Sequence, residues 1–150
     1  MQLFSSPYFL AAAASVPANS MKELVAYARQ NPGKLTYAST GIGSGAHLQG
    51  EAINMAAGTQ MLHVPYAGNN AAMAVNDLIS GRIDLYISDL NSFNQHTATG
   101  KLKLIAFVDK TRSRLRPEVQ TVNEVLPNSY NLVVWWGIMG PANLPRVLVN

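Results

Sequence analysis

Short apolar runs alternate with helix-like segments along most of this chain, and that alternation constrains the fold more than any other feature. The apolar runs lie at 35–38, 61–64, 83–87 and 102–108. Strands that are apolar throughout are typical of a parallel sheet covered on both faces, since a half-exposed strand would alternate. The pattern therefore predicts the α/β fold class, with a mostly parallel sheet flanked by helices.

Apolar residues at helical spacing predict helices over 21–30, 46–57, 71–80 and 91–99. Ser20 and Glu23 have the spacing of a capping box at the start of the first helix. Glycines at 58 and 81 end the second and third helices. The residues predicted to face the core are Met21, Leu24, Val25 and Ala28 of the first helix, Leu48, Ala52 and Met55 of the second, and Ala72, Val75, Leu78 and Ile79 of the third.

The two ends of the chain are harder to fit into this alternation. Residues 4–14 and 132–139 are both apolar enough for strands, and 141–150 resembles the beginning of a helix. One of the two side chains of Trp135 and Trp136 is expected in the core, because adjacent residues of a strand point to opposite faces. We expect a single α/β domain over 1–150, taken from something longer.

Composition excludes several classes of protein. The 150 residues contain no cysteine, so thiolate chemistry and disulfides are excluded. The net charge of +3 is spread thinly, and its one tight group, the arginines at 112, 114 and 116, is predicted to be a solvated loop. A nucleic-acid partner is not expected, because no long basic stripe with stacking aromatics is present. The start of the chain lacks the positive charge of a signal peptide.

Three connections are predicted at the sheet edge where open α/β sheets bind ligands, outside the carboxyl ends of the strands. They are 39–45, 65–70 and 88–92, and Asp89 is their one charged residue. The first is rich in glycine and hydroxyl groups and opens a helix. It is therefore expected to direct unpaired backbone N–H groups and the positive end of a helix dipole at one point. Such a lining suits a small polar or anionic molecule.

The same residues bear on several other kinds of site. The glycines at 41–45 lack the GxGxxG spacing, the lysine of a Walker loop and the GxSxG of a nucleophile elbow. Ser44 and His47 lie one helical turn apart, with Glu51 as a nearby acid, which keeps a serine hydrolase as an alternative. No histidine spacing fits a metal site. His63 is expected in the core or at the rim, and Asp89 is expected to cap the helix near residue 91.

Several motifs resemble the Bug-type receptors of tripartite tricarboxylate transporters. In chain order they are PGKLTYAS at 32–39, GS at 43–44 with His47, HVPY at 63–66 with Gly68, GRID at 81–84, GKLK at 100–103, VQTVNE at 119–124, and WG to PA at 136–142. That family consists of extracytoplasmic solute-binding proteins with two α/β lobes around a cleft. The resemblance implies one lobe of a type II periplasmic-binding-protein-like fold.

The resemblance also implies a function. The chain would be the second lobe of a periplasmic receptor without catalytic activity or cofactor, and would capture a small di- or tricarboxylate or a related acid for a membrane permease. Residues 4–14 and 132–139 would be the crossover strands to a first lobe that is absent here. A similar fold serves transcription regulators, so an effector-sensing domain remains an alternative.

Matched by position, the family's ligand-binding residues fall on all three connections. They correspond here to Ser39, Thr40, Gly43, Ser44 and His47 in the first connection, Tyr66, Gly68 and Asn69 in the second, and Asp89 in the third. Members usually carry lysine where Ala67 stands and glycine where Asn69 stands. The resemblance therefore implies a carboxylate site and leaves the particular carboxylate open.

Overall fold

A computed structural model describes residues 2–6, 8–68, 70–132 and 134–140. The predicted helix over 141–150 lies outside the described residues. The strands are β1 (Gln2–Ser5), β2 (Tyr8–Ala13), β3 (Thr36–Ser39), β4 (Leu62–Pro65), β5 (Leu85–Ser88), β6 (Leu102–Val108) and β7 (Trp135–Gly137). The helices are α1 (Met21–Gln30), α2 (Gly45–Ala57), α3 (Ala71–Ile79), α4 (Asn94–Ala98) and α5 (Val122–Val125).

The central sheet has five strands in the order β4-β3-β5-β2-β6. β3 pairs in parallel with β4 and β5, whereas β2 pairs antiparallel with β5 and β6. Four of the five strands therefore run in one direction, and β2 is the reversed one. This confirms the predicted α/β class with a mostly parallel sheet. The reversal was not predicted, because an apolar run gives no information about strand direction.

The first helix confirms its predicted start and its predicted buried face. The Ser20 hydroxyl accepts the Glu23 N–H, and Met21, Leu24, Val25 and Ala28 are buried. In a strict capping box the Glu23 carboxylate would accept the backbone N–H of Ser20. Here it accepts the N–H of Asn19 instead. The carboxylate therefore stabilises the residue before the cap.

The second helix buries a different face from the one predicted. Met55 is 84% exposed and Leu48 is 48% exposed, whereas Ile53 is 1% exposed. Its buried residues are Ala46, Gln49, Gly50, Ile53, Asn54 and Ala57. The prediction was wrong because the inward face includes two amide side chains. Burial of Asn54 is offset by its hydrogen bonds, whereas the Nε2 of Gln49 is buried with no hydrogen-bond partner among the described residues. Asn54 bonds both backbone groups of Met61, and Gln49 accepts the N–H of Leu132.

Two smaller corrections apply further along the chain. α3 buries Ala74, Val75 and Leu78, while Ala72, which was predicted to be inside, is exposed. The single helix predicted over 91–99 is a 3₁₀ turn at Leu90–Ser92 followed by α4. The turn forms because the Asp89 carboxylate accepts the Ser92 N–H and so caps it.

The segments predicted as strands at the two ends of the chain meet in a small separate sheet, and the first segment also contributes a strand to the central sheet. Residues 4–14 form parts of β1 and β2, which belong to different sheets, and β1 pairs antiparallel with β7. Trp135 and Trp136 are 48% and 56% exposed, so the expectation that one of them lies in the core was wrong. A two-stranded ribbon has no second layer to cover either of its faces.

The basic segment at 112–116 lies at the surface, as predicted, and two of its arginines are paired. Arg112 forms two hydrogen bonds to the Glu124 carboxylate, and Arg116 bonds Glu118. The Arg112 guanidinium and the Thr121 backbone N–H lower the pKa of Glu124 to about 2. These ion pairs partly neutralise the segment.

Candidate functional site

The three predicted connections lie at one edge of the sheet. Ser39 is in register with Pro65 of the neighbouring strand, and Ala38 is in register with Tyr86 on the other side. Strands β4, β3 and β5 are adjacent and parallel, so their carboxyl ends face the same way. Gly41 and Ala67 also approach each other, since a β-carbon on Gly41 would lie 3.9 Å from the Ala67 α-carbon.

The first connection is held by bonds within itself. The Gly41 N–H donates to the Ser39 hydroxyl at 3.1 Å, and the Ser44 N–H donates to the Gly41 carbonyl at 3.2 Å. The Gly43 N–H donates to Nδ1 of His47 at 3.1 Å. Three of the amides that the sequence predicted to be unpaired are therefore already satisfied.

The other backbone N–H groups of the turn and of the α2 start are unpaired in the described part of the chain. Within the described ranges, the N–H groups of Thr40, Ile42, Gly45 and Ala46 have no hydrogen-bond acceptor. Thr40 and Gly43 are exposed, and Ile42 is 82% exposed, so the turn faces solvent. Gly45 and Ala46 are the first two residues of α2, where unpaired N–H groups and the helix dipole favour an anion.

A cluster of side chains holds this turn from the protein side. The buried Ser39 hydroxyl contacts Nε2 of His63, on β4, at 2.6 Å. The rings of His63 and His47 lie 4.1 Å apart between centroids, tilted by 34°. Burial and the neighbouring His47 lower the pKa of His63, against a smaller opposite effect of Glu51. His63 is half-buried at the rim of the site, as the sequence predicted.

Beneath the histidine pair, Tyr37 connects β3 to α2. Its ring is fully buried, and its hydroxyl donates to the Glu51 carboxylate at 2.6 Å. Burial, followed by the bond to Glu51, raises the pKa of the Tyr37 phenol. A β-carbon on Gly50 would lie 2.2 Å from the Tyr37 ring, so glycine is required there for the ring to pass over the helix.

The second connection is anchored towards α3. The Tyr66 hydroxyl donates to the Asp77 carboxylate at 2.7 Å, and the Tyr66 N–H donates to the Ser39 carbonyl. Burial and the bond to Asp77 raise the pKa of Tyr66 to about 12. Gly68 has a φ of 75°, a conformation that favours glycine. Asn69 lies outside the described residues, and the ligand contacts of this connection stay predictions.

The third connection contains Asp89, whose carboxylate also accepts from the Ser92 hydroxyl at 3.5 Å. Its capping role is thus observed, and its contact with a ligand stays a prediction.

Sequence reasoning missed Tyr8 of β2, which the reversed strand brings to this edge. The Tyr8 ring lies 3.6 Å from where a β-carbon of Gly45 would be. Burial, Tyr86 and Asp89 raise the pKa of Tyr8.

The geometry does not assemble the alternative serine hydrolase. The Ser44 hydroxyl accepts the backbone N–H of His47 at 3.2 Å, which makes Ser44 the cap of α2. The acid that such a triad would need, Glu51, bonds Tyr37 instead. A catalytic serine needs its base on the hydroxyl and an acid on the base, and the described residues provide neither bond for Ser44 and His47.

The described part of the chain contains neither a cluster of metal ligands nor a membrane-spanning helix. No three His, Asp or Glu side chains there are grouped closely enough to hold a metal ion. No helix there has both the length and the apolar composition needed to cross a bilayer.

Comparison with known proteins identifies the family. The profile described as "Tripartite tricarboxylate transporter family receptor" matches residues 1–150. The chain belongs to this receptor family. A UPF0065 protein from a Pseudomonas species is 35% identical over 141 residues, which are 90% of this chain and 41% of that protein.

Two solved structures are similar in fold to this chain. The R. palustris protein Rpa4515, solved with adipate, has 28% identity and a TM-score of 0.87, over 99% of this chain and 49% of that one. The periplasmic binding protein BugD has 30% identity and a TM-score of 0.81, over 97% of this chain and 48% of that one. This receptor-family chain thus spans about half the length of the relatives that it matches.

Proposed function

We propose that this chain is the ligand-binding lobe of a periplasmic receptor that captures a small carboxylate for a tripartite tricarboxylate transporter. One observation carries the proposal: four N–H groups without an acceptor among the described residues belong to the exposed turn, at Thr40 and Ile42, and to the first two residues of α2, Gly45 and the buried Ala46. Donors in this arrangement suit a carboxylate.

The α2 helix dipole is the electrostatic feature that favours an anion here, since the one charged side chain of the three connections, Asp89, is itself negative. The three connections contain no lysine or arginine, so attraction comes from backbone dipoles. An anion at such a helix start gains about 0.3–1 kcal/mol when exposed, and up to about 2 kcal/mol when partly buried. The adipate bound to Rpa4515, at 28% identity, makes a dicarboxylate the first ligand to test.

Affinity of this lobe alone should be low. The chain spans 49% of Rpa4515, so half of a two-lobed cleft would be missing, while the entropic cost of association remains. We expect a dissociation constant of about 1 mM or weaker, corresponding to roughly −4 kcal/mol. In the complete receptor, closure of a second lobe over the ligand would supply the missing contacts, with the β1–β7 ribbon acting as the connection between lobes. The membrane permease is then the partner that receives the ligand.

Titration of the ¹⁵N-labelled chain with adipate, followed by amide NMR, tests the proposal. We expect the largest shifts at Thr40, Ile42 and Gly45. The substitution Ile42→Asp puts a negative charge at the exposed tip of the turn and should abolish these shifts. Met55→Asp, at an equally exposed position of α2, is the matched control and should leave them unchanged. Adipate shifts that are absent from the turn, at concentrations up to about 50 mM, would refute a carboxylate site of this affinity.

A further inference from the structure

The second connection is fixed at Tyr66 and open beyond it. Tyr66 is half-buried, and its N–H donates to the Ser39 carbonyl at 2.9 Å. The next two residues, Ala67 and Gly68, are exposed, and their N–H groups have no acceptor in the described part of the chain. The orientation of Tyr66 therefore sets where these two amides lie.

The Tyr66 hydroxyl is already bonded on the side of α3. It donates to the Asp77 carboxylate at 2.7 Å, and the other carboxylate oxygen accepts from the Arg82 guanidinium at 2.9 Å. A phenol has one proton to donate, and a carboxylate ligand can only accept. The hydroxyl therefore cannot donate to the ligand while its bond to Asp77 is formed.

We propose that Asp77 is a positioning residue of the carboxylate site, which fixes Tyr66 and thereby holds the Ala67 and Gly68 amides beside the turn at the α2 start. This inference rests on the proposed function. It gives Tyr66 an indirect role, in place of the direct ligand contact that the family resemblance implies. Arg82, whose side chain is 77% exposed, adds a second bond to the same carboxylate.

The two connections meet where Ala67 passes Gly41. A β-carbon on Gly41 would lie 3.9 Å from the Ala67 α-carbon, so the two backbones approach each other closely. Gly41 lies between Thr40 and Ile42, whose N–H groups also have no acceptor among the described residues. Unpaired amides of both connections thus lie within one residue of this contact. A ligand carboxylate has about four acceptor sites on its two oxygens, so it can bond donors from both connections.

The link between Tyr66 and Asp77 stays formed at neutral pH. Burial and the bond to Asp77 raise the pKa of Tyr66 to about 12, so the phenol keeps its proton. The bonds from Tyr66 and Arg82 lower the pKa of Asp77, so its carboxylate stays charged. A hydrogen bond to a charged acceptor is about twice as strong as a neutral one. Removing either group therefore leaves the half-buried ring of Tyr66 without its anchor.

Adipate titration of the ¹⁵N-labelled chain, followed by amide NMR, tests the inference with variants of the pair. Tyr66→Phe removes the phenol oxygen and keeps the ring, whereas Asp77→Ala removes the acceptor. Both should bind adipate about three- to tenfold more weakly, because the displaced amides then bond the ligand only part of the time, and full loss of one bond to a charged group corresponds to about tenfold. Asp77→Asn keeps an oxygen that can accept from the phenol, and should bind more tightly than Asp77→Ala.

Two further measurements separate positioning from stability. In the ligand-free Tyr66→Phe variant the Ala67 and Gly68 amide resonances should move, while that of Gly45 should stay in place. Ser20→Ala removes the cap of α1 and is the matched control. It should lower the free energy of unfolding and leave the adipate affinity unchanged.

The outcomes distinguish this inference from the proposed function. If Tyr66→Phe and Asp77→Ala bind adipate as tightly as the wild type, or if Asp77→Asn is as weak as Asp77→Ala, the inference fails while the carboxylate site stands. The same holds if adipate shifts the Gly45 amide of the wild type without shifting those of Ala67 and Gly68. If adipate shifts no turn amide at all, the proposed function fails and takes this inference with it.

Discussion

Gly50 is the position at which one added methyl group should cost the most. Its β-carbon would lie 2.2, 2.5 and 2.8 Å from three atoms of the Tyr37 ring. That ring is fully buried and cannot move without leaving its hydrogen bond to Glu51. The substitution Gly50→Ala therefore forces a rearrangement at the base of the candidate site.

The magnitude follows from three opposing effects. Alanine in place of glycine stabilises a helix by about 1 kcal/mol. Overpacking a core costs about 1–3 kcal/mol, and losing a hydrogen bond to a charged group costs about 1.5–3 kcal/mol. The net expectation is a loss of about 2–5 kcal/mol in the free energy of unfolding. Urea denaturation followed by circular dichroism measures it, and the melting temperature should fall by about 5–15 °C.

A double-mutant cycle isolates the cause. In a Tyr37→Leu background the ring is absent, so adding Gly50→Ala should become neutral or stabilising by up to about 1 kcal/mol. A reversal of sign between the two backgrounds would confirm the steric conflict. If Gly50→Ala is as stable as the wild type in the presence of Tyr37, the placement of the ring over α2 is wrong.

Three further predictions concern stability. Ile53→Ala should cost about 2–5 kcal/mol in urea unfolding, whereas Met55→Ala should stay within about 0.5 kcal/mol, and equal costs would contradict the observed face of α2. Ser20→Ala should cost about 0.5–2 kcal/mol through loss of the α1 cap, and no change would show that the Glu23 N–H finds another acceptor. Because the pKa of His63 is lowered in the folded state, the unfolded chain binds that proton more tightly, so stability should fall with pH below about 6.5. His63→Gln should weaken this dependence, measured as unfolding free energy at pH 8 and at pH 5.5.

Local signals in the sequence were sufficient where structure depends on neighbours along the chain. β6 covers 102–108 as predicted, α1 begins after Ser20, and Gly58 ends α2 with a φ of 62°. The order of strands, helices and connections also followed from hydrophobic periodicity. Short-range steric and capping preferences decide these features, and they act within a few residues.

The face of α2 could not be predicted in the same way. Leu48, Ala52 and Met55 form an apolar stripe at helical spacing, yet the buried face of α2 contains Gln49 and Asn54 beside Ile53. Burial of Asn54 depends on its bonds to Met61, and a periodicity argument cannot contain such a partner. Ranking by apolarity fails where a buried polar side chain is fully satisfied.

The candidate site shows the same division. The glycine turn was predicted to present unpaired amides, and its position at the start of α2 followed from the sequence alone. Contacts in the folded chain decided which amides are used internally: Gly41 through Ser39 and Gly43 through His47, which are local bonds, with the distant His63 supporting the first. They also reversed β2 and so brought Tyr8 to the same edge.

The sequence by itself therefore determined the fold class and the starts of α1, α2 and α3, because these depend on local preferences. Only the tertiary structure decided the buried face of α2, the strand directions and the contact of His63 with the turn. These depend on hydrogen bonds and packing between residues far apart in the chain, such as Tyr37 against Gly50 or Ser39 with His63.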